Sequence, residues 1–151
     1  IKGDVSMNKI LFEGSAVALV TPYKNGRVNY SKLQELIEFH IQNLTNAIVV
    51  CGTTGEASTM PDEVQIEVIK RSIEFADGRI PIIAGTGSND TNHSIKLSVE
   101  AQELGANGLL LVTPYYNKTS QTGLIRHFNA IADAVGAEFK RSFVLYNGDE
   151  I

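Results

Sequence analysis

The sequence AIVVCGTTGE occupies residues 47–56. Four apolar residues run without interruption, and two glycines that flank two adjacent threonines follow after Cys51. A continuous apolar run, in contrast to an alternating one, is typical of a strand that is covered on both faces of a parallel sheet. This stretch therefore predicts a buried parallel strand that ends in a polar loop.

The same arrangement recurs along the chain with a spacing of about 30 residues, which is the size of a βα unit. Apolar runs that predict strands occupy residues 16–20, 47–50, 80–84, 109–112 and 143–145. Stretches of helical period lie between them. Ser31 is expected to cap the first helix and Pro61 to begin the second. The third and fourth helices, residues 91–104 and 121–135, are expected to end at Gly105 and Gly136.

Five such units are compatible with two architectures. One is a five-stranded doubly wound parallel sheet, and the other is the first five βα units of a (β/α)₈ barrel, which normally needs about 250 residues. Periodicity does not separate them. Both place a small-molecule site at the carboxyl ends of the strands.

Composition excludes several classes of function. The 151 residues carry a net charge of −4 with both signs scattered, so neither nucleic acid nor a membrane surface is an expected partner. The apolar runs are too short to span a bilayer. Cys51 is the only cysteine, which rules out an intramolecular disulfide and suits a cytoplasmic protein. Because Met7 is typical of a natural start, residues 1–6 are expected to be an upstream or non-native extension of a domain spanning 7–151.

Polar residues follow the predicted strands. Thr53 and Thr54 stand in a loop that suits a small carboxylate, although a simple turn with a helix cap is the alternative. Tyr115 and Tyr116 follow the fourth strand and suit proton transfer, substrate packing or an interface. Tyr146 ends the fifth strand, where packing alone is the alternative.

Other chemistries have little support in the sequence. The three histidines, His40, His93 and His127, share no metal-ligand spacing, so no metal is expected. The loop of residues 85–89 lacks the third glycine of a dinucleotide fingerprint, and no cofactor is expected. Cys51 ends an apolar strand, which favours inert packing.

Five segments in a constant order resemble the dihydrodipicolinate synthase family, also called 4-hydroxy-tetrahydrodipicolinate synthases. The segments comprise residues 14–22, 49–56, 79–89, 112–118 and 123–128, and the likeness resumes at 144–147. The resemblance implies a (β/α)₈ barrel and a class I aldolase-type lyase of lysine and diaminopimelate biosynthesis. In that family a lysine forms a Schiff base with pyruvate, and the enamine attacks aspartate semialdehyde.

The resemblance also implies roles for individual residues. Thr53, Tyr116 and Tyr146 match a proton-relay triad, and Thr54 matches a residue that binds the pyruvate carboxylate. The residue matching Tyr116 reaches into a neighbouring subunit, which implies a homodimer or homotetramer.

An allosteric lysine site is implied as well. Gly87, Asn89 and Tyr115 match its residues. His93 stands where the family has an acidic residue, which argues against feedback inhibition.

The chain departs from the family near its end. The arginine motif and the Schiff-base lysine are missing after Asn147, and residues 136–142 form a longer segment than in the family. The chain alone is therefore expected to be inactive. The alternatives are a barrel fragment or pseudoenzyme that acts through self-association and, third, a doubly wound binding module.

Overall fold

The computed structural model describes residues 10–117, 119–136 and 143–147. Along the chain the elements are β1 (Ala16–Ala18), β2 (Tyr23–Lys24), β3 (Arg27–Val28), α1 (Tyr30–Gln42), β4 (Ala47–Val50), a 3₁₀ turn (Ala57–Thr59), α2 (Asp62–Ala76), β5 (Ile82–Gly85), α3 (Thr91–Glu103), β6 (Gly108–Val112), α4 (Gln121–Val135) and β7 (Phe143–Tyr146).

The order of the strands identifies the architecture. The main sheet has the order β1-β4-β5-β6-β7 with every pair parallel, so neighbours in space follow the order of the chain. The helices follow the same order, because α1 contacts α2, α2 contacts α3, and α3 contacts α4. A doubly wound sheet would reverse its strand order and place helices on both faces. The structure therefore contains the strands of five βα units of a (β/α)₈ barrel, and the doubly wound alternative is wrong.

One face of the sheet carries the hydrophobic core. Ile48, Ile82 and Leu109 point from the strands towards the helices and are at most 1% exposed. Ile37 and Ile69 meet them from the helices and are fully buried. Each such side chain contributes roughly 1.5–3 kcal/mol through removal from water. This core fixes the helices as a single layer on the outside of the curved sheet.

The opposite face of the sheet forms the floor of a cavity. Strand side chains alternate between the two faces, so Ala18, Val49 and Leu110 point away from the helices. All five strands are parallel, and their carboxyl ends therefore meet at one edge. The loops that follow β4, β5 and β6 line the cavity at that edge.

Most helix ends agree with the sequence pattern. Gly105 has φ +93° and follows the end of α3, and Gly136 has φ +84° at the end of α4. Pro61 directly precedes α2. The predicted cap of α1 is wrong by two residues: Asn29, not Ser31, accepts a hydrogen bond from the Lys32 N–H at 3.1 Å. An Asn side chain caps a helix as well as Ser does, and α1 accordingly begins at Tyr30.

A hairpin between β1 and α1 was not predicted. Strands β2 and β3 pair antiparallel around Asn25 and Gly26, which have φ of 53° and 74°. Two positive φ values in succession are the mark of a type I′ turn, and an Asn-Gly pair between strands is its strongest sequence signal. The dipeptide alone could have predicted this hairpin.

Some expectations fall outside the described residues. These are the extension at residues 1–6, residues 137–142 of the long segment, and residues 148–151.

Gly85 offers a test of how tightly β4 and β5 approach each other. A Cβ at Gly85 would overlap the backbone carbonyl of Cys51, whereas a Cβ at Gly52 would make ordinary contacts at 3.6 Å with Leu110. We expect Gly85→Ala to lower the free energy of unfolding by about 2 kcal/mol or more, because the added Cβ overlaps backbone atoms, which cannot shift without strain. Gly52→Ala should change it by less than about 1 kcal/mol. Urea unfolding followed by far-UV circular dichroism measures both, and equal values for the two variants would contradict the close approach.

Candidate active site at the carboxyl ends of the strands

A cavity of about 420 Å³ opens at the carboxyl ends of the strands. Its floor is apolar and includes Ala16, Ala18 and Val112. Its rim is polar and is formed by the loops after β4, β5 and β6 and by Tyr146 at the end of β7. An apolar floor with a few convergent polar groups is the usual form of a small-molecule site.

The loop after β4 brings two threonines to the cavity. Thr53 and Thr54 are exposed and line the cavity, as the sequence predicted. The N–H groups of Gly55 and Glu56 donate to the carbonyls of Gly52 and Thr53, both at 3.0 Å, and so close the turn. Within the described part of the chain, neither threonine hydroxyl is used in a hydrogen bond. Both are therefore available as donors to a carboxylate or carbonyl oxygen.

Buried contacts hold this loop in place. Cys51 adopts φ +55° at the end of β4 and turns the chain into the loop. The Thr21 hydroxyl, which is 5% exposed, donates to the Gly55 carbonyl at 2.7 Å. A Cβ at Gly55 would lie only 3.0–3.2 Å from backbone atoms of Cys51 and Leu19. The threonines are thus carried by a rigid turn.

Cys51 is unsuited to act as a nucleophile. The side chain is 2% exposed, and burial raises the pKa of its thiol to about 12. The thiolate, the reactive form, is therefore scarce at neutral pH.

The two tyrosines of the predicted relay occupy different places. Tyr146 ends β7, lines the cavity and is 49% exposed. Tyr116 is 98% exposed, does not line the cavity and has φ +65°. A non-glycine residue in this region costs on the order of 1–3 kcal/mol. The structure brings Thr53, Thr54 and Tyr146 to one cavity and leaves Tyr116 outside it, at the tip of its loop.

The residues expected to form an allosteric site are also divided. Gly87 and Tyr115 line the cavity, whereas Asn89 does not. The Asn89 amide instead donates to Asn117 Oδ1 at 3.4 Å, which links the loops after β5 and β6. A Cβ at Gly87 would overlap the backbone N of Val112, so no larger residue fits there.

His93 lies on the rim and joins two helices. Its Nε2 lies 2.8 Å from Asp62 Oδ1, and its Nδ1 lies 3.3 Å from the Ser88 hydroxyl. Lys96 binds the other oxygen of Asp62 at 2.9 Å. Hydrogen bonds from Lys96 and then His93 hold the pKa of the Asp62 carboxyl below its usual value. The Asp62 carboxylate is thus next to His93. It belongs to α2, however, and is already paired with Lys96.

Sequence reasoning missed three polar residues that reach the cavity from helices or loops. These are Ser58, Gln65 and Ser88. Gln65 is 5% exposed, and its Nε2 donates to the Gly85 carbonyl at 2.9 Å. The sequence places Gln65 on the same face of α2 as Val68 and Ile69. This position could have indicated a specific role for Gln65, because buried amides need specific partners.

Several features are absent from the residues that the structure describes. Among the described residues, no Lys, Arg, Asp or Glu lines the cavity. In the same residues, no group of three or more His, Cys, Asp or Glu is arranged to hold a metal ion. None of the described helices combines the length and hydrophobicity required to span a bilayer.

Comparison with known proteins identifies the family. Residues 11–150 match the model of the dihydrodipicolinate synthetase family. The 4-hydroxy-tetrahydrodipicolinate synthase of Geobacter metallireducens is 59% identical over 125 residues, which are 83% of this chain and 43% of that protein.

Two crystal structures extend the likeness to the fold. The dihydrodipicolinate synthase of Aquifex aeolicus superposes with a TM-score of 0.85 at 48% identity, over 90% of this chain and 45% of that one. The chloride-inhibited enzyme of Acinetobacter baumannii, complexed with pyruvate, gives 0.84 at 52% identity, over 89% and 45%. The chain thus spans less than half the length of these relatives. With the sequential strand order and the cavity at the strand ends, these matches show that the chain belongs to the dihydrodipicolinate synthetase family.

Proposed function

We propose that this chain carries the pyruvate-binding part of a 4-hydroxy-tetrahydrodipicolinate synthase site. The observation that supports it is the pair of hydroxyls, on Thr53 and Thr54, that face an uncharged cavity without other hydrogen-bond partners in the described residues. A small keto acid needs such donors for its carboxylate and for its carbonyl oxygen. In this proposal Thr54 binds the carboxylate and Thr53 acts in proton transfer.

The proposed reaction joins pyruvate to aspartate semialdehyde through a lysine Schiff base. Formation of the Schiff base moves protons on and off a carbinolamine, and hydroxyl groups within hydrogen-bond reach can carry them. Thr53 between Tyr146 and Tyr116 would form the relay. The exposure of Tyr116 suits a residue that serves the cavity of a neighbouring copy, which makes a homodimer or homotetramer part of the proposal.

No described residue is assigned the role of the nucleophilic lysine in this proposal. A Schiff-base lysine needs a desolvated or cationic site that lowers its pKa. Of the described lysines, which are Lys24, Lys32, Lys70 and Lys96, none lines the cavity. Lys96 is paired with Asp62, and this pair raises the pKa of its ammonium group. We infer that the described residues bind pyruvate without forming a covalent adduct.

Self-association is a second candidate function. Val144, Leu145 and Tyr146 of β7 are 39%, 59% and 49% exposed, and Tyr116 is 98% exposed. Contiguous apolar side chains on an edge strand are a template for contact with another chain. This candidate requires no catalytic residue.

The first test concerns pyruvate binding. We expect Thr54→Val to weaken pyruvate binding by about tenfold or more, because it removes a hydrogen bond to a charged group. Thr122→Val, at an exposed position in the first turn of α4, is the matched control and should bind as the unaltered chain does. Saturation-transfer NMR with titrated pyruvate measures both. Equal affinities for the two variants would remove Thr54 from the proposed site.

The second test concerns the Schiff base. Borohydride reduction in the presence of pyruvate is expected to leave the mass of the 151-residue chain unchanged. A full-length relative treated in parallel should gain one reduced adduct on a lysine, since its Schiff base would be trapped. Intact-mass spectrometry reads both samples. Stoichiometric labelling of this chain would show that one of its own lysines is a competent nucleophile.

The third test concerns assembly. We expect Tyr116→Ser to raise the dissociation constant of the oligomer by about tenfold or more, because an exposed tyrosine at a contact is a typical anchor. Tyr23→Ser alters another exposed tyrosine, on the hairpin, and should leave the constant unchanged. Sedimentation velocity at several concentrations provides the constants. A monomer at all concentrations would contradict both the relay and self-association.

A further inference from the structure

His127 is a buried histidine that lies outside the candidate active site. It belongs to α4 and is 6% exposed. Its Nδ1 lies 2.9 Å from the Thr91 hydroxyl, at the first residue of α3. Its Nε2 is buried and has no hydrogen-bond partner among the described residues. The Phe128 ring packs edge-on against the imidazole, with centroids 5.1 Å apart.

This environment accepts only the neutral imidazole. A neutral ring needs one donor and one acceptor position, whereas a protonated ring has two N–H donors. The second donor, at Nε2, would be buried without an acceptor, which carries a large desolvation penalty. Burial correspondingly lowers the pKa of His127.

Among the described residues, no neighbouring charge offsets this effect. The strands β6 and β7 contain no charged residue, and Tyr146 is their single titratable group. The titratable and charged groups of α3 and α4 other than His127 are His93, Lys96, Glu100, Glu103, Arg126 and Asp133. In the described part of the chain none of them contributes to the lowered pKa of His127, and burial is its cause.

The bond between His127 and Thr91 ties two parts of the cavity rim together. Helix α3 begins directly after the loop that contains Asn89, and α4 follows the loop that contains Tyr115 and Asn117. The contact between Asn89 and Asn117 is long, at 3.4 Å, and exposed. The buried histidine is therefore the firmer connection between the two loops.

The other end of α4 is held by separate contacts. The Gln102 amide donates to the Val135 carbonyl at 2.9 Å, and Ile131 is fully buried. Loss of the histidine bond would therefore loosen the first half of α4 and leave its second half packed.

We propose that His127 is a positioning residue that acts as a proton-sensitive latch: the neutral ring holds the start of α4 against α3, and protonation releases it together with the tyrosine loop. The tyrosine loop is defined as residues 113–117. The latch governs where Tyr115 and Tyr116 stand relative to the cavity. It requires neither pyruvate binding nor catalysis, so it stands independently of the proposed function.

Hydrogen exchange measured by mass spectrometry without pyruvate tests the latch. Rates in residues 113–117 and 119–126, corrected for intrinsic exchange, should rise by up to about tenfold for each pH unit below about 6.5. The released state binds a proton on His127 that the closed state excludes. The closed state is therefore fully stable above this pH and loses stability as the pH falls below it. Residues 129–135 should keep their protection.

Two variants separate a latch from general acid sensitivity. His127→Asn places an amide near Nδ1 without a titratable group, so the corrected rates should no longer depend on pH. His40→Asn is the matched control, because His40 Nδ1 also meets a threonine hydroxyl, Thr45, at 3.0 Å but is only half-buried. The control should keep the pH dependence of the unaltered chain.

Specific results would overturn the latch. They are pH-independent rates in the unaltered chain, or a pH dependence that persists in a folded His127→Asn variant. If the His127→Asn variant does not fold, the Thr91→Val variant tests the latch instead. It removes the hydroxyl alone and should raise the rates in residues 119–126 already at neutral pH; unchanged rates there would refute the proposal.

Discussion

The close packing of β5 against the end of β4 is the constraint on which the remaining structure depends. Gly85 lies against the peptide of Cys51, where no side chain fits. Cys51 can therefore take its left-handed conformation and direct the chain into the threonine loop. The buried Gly85 carbonyl accepts a hydrogen bond from the Gln65 amide, which fastens α2 to the sheet. One backbone contact thus determines both the course of the sheet and the position of Thr53 and Thr54.

The local elements could be predicted from the sequence to a large extent, whereas their arrangement could not. Strand β4 and helix α4 have the predicted ends, because an uninterrupted apolar run and a long amphipathic stretch with Gly136 after it leave few alternatives. The strand order is a different matter. A doubly wound sheet and a barrel share the same succession of strands and helices, and pairing between distant strands leaves no mark on periodicity. The resemblance to a known family, not the pattern, favoured the barrel.

The candidate site shows the same division. Thr53, Thr54 and Tyr146 all lie at the cavity because parallel strands end at one edge. Gln65 and His93 belong to helices, and only the packing of α2 and α3 brings them to the rim. Tyr116 was assigned a place in the relay, yet within one chain it points outwards. In the proposed relay Tyr116 would serve a second copy of the chain, and the structure of one copy does not contain that contact.

The sequential order of strands and helices has a consequence for folding. Each unit contacts chiefly the unit before it and the unit after it, as in a solenoid, so its contacts join segments that are close in the chain. Loop closure between such segments costs little entropy, and folding can begin at any adjacent pair of units and spread outwards. The chain should therefore behave kinetically as a short array of repeats, in which stability is acquired one interface at a time.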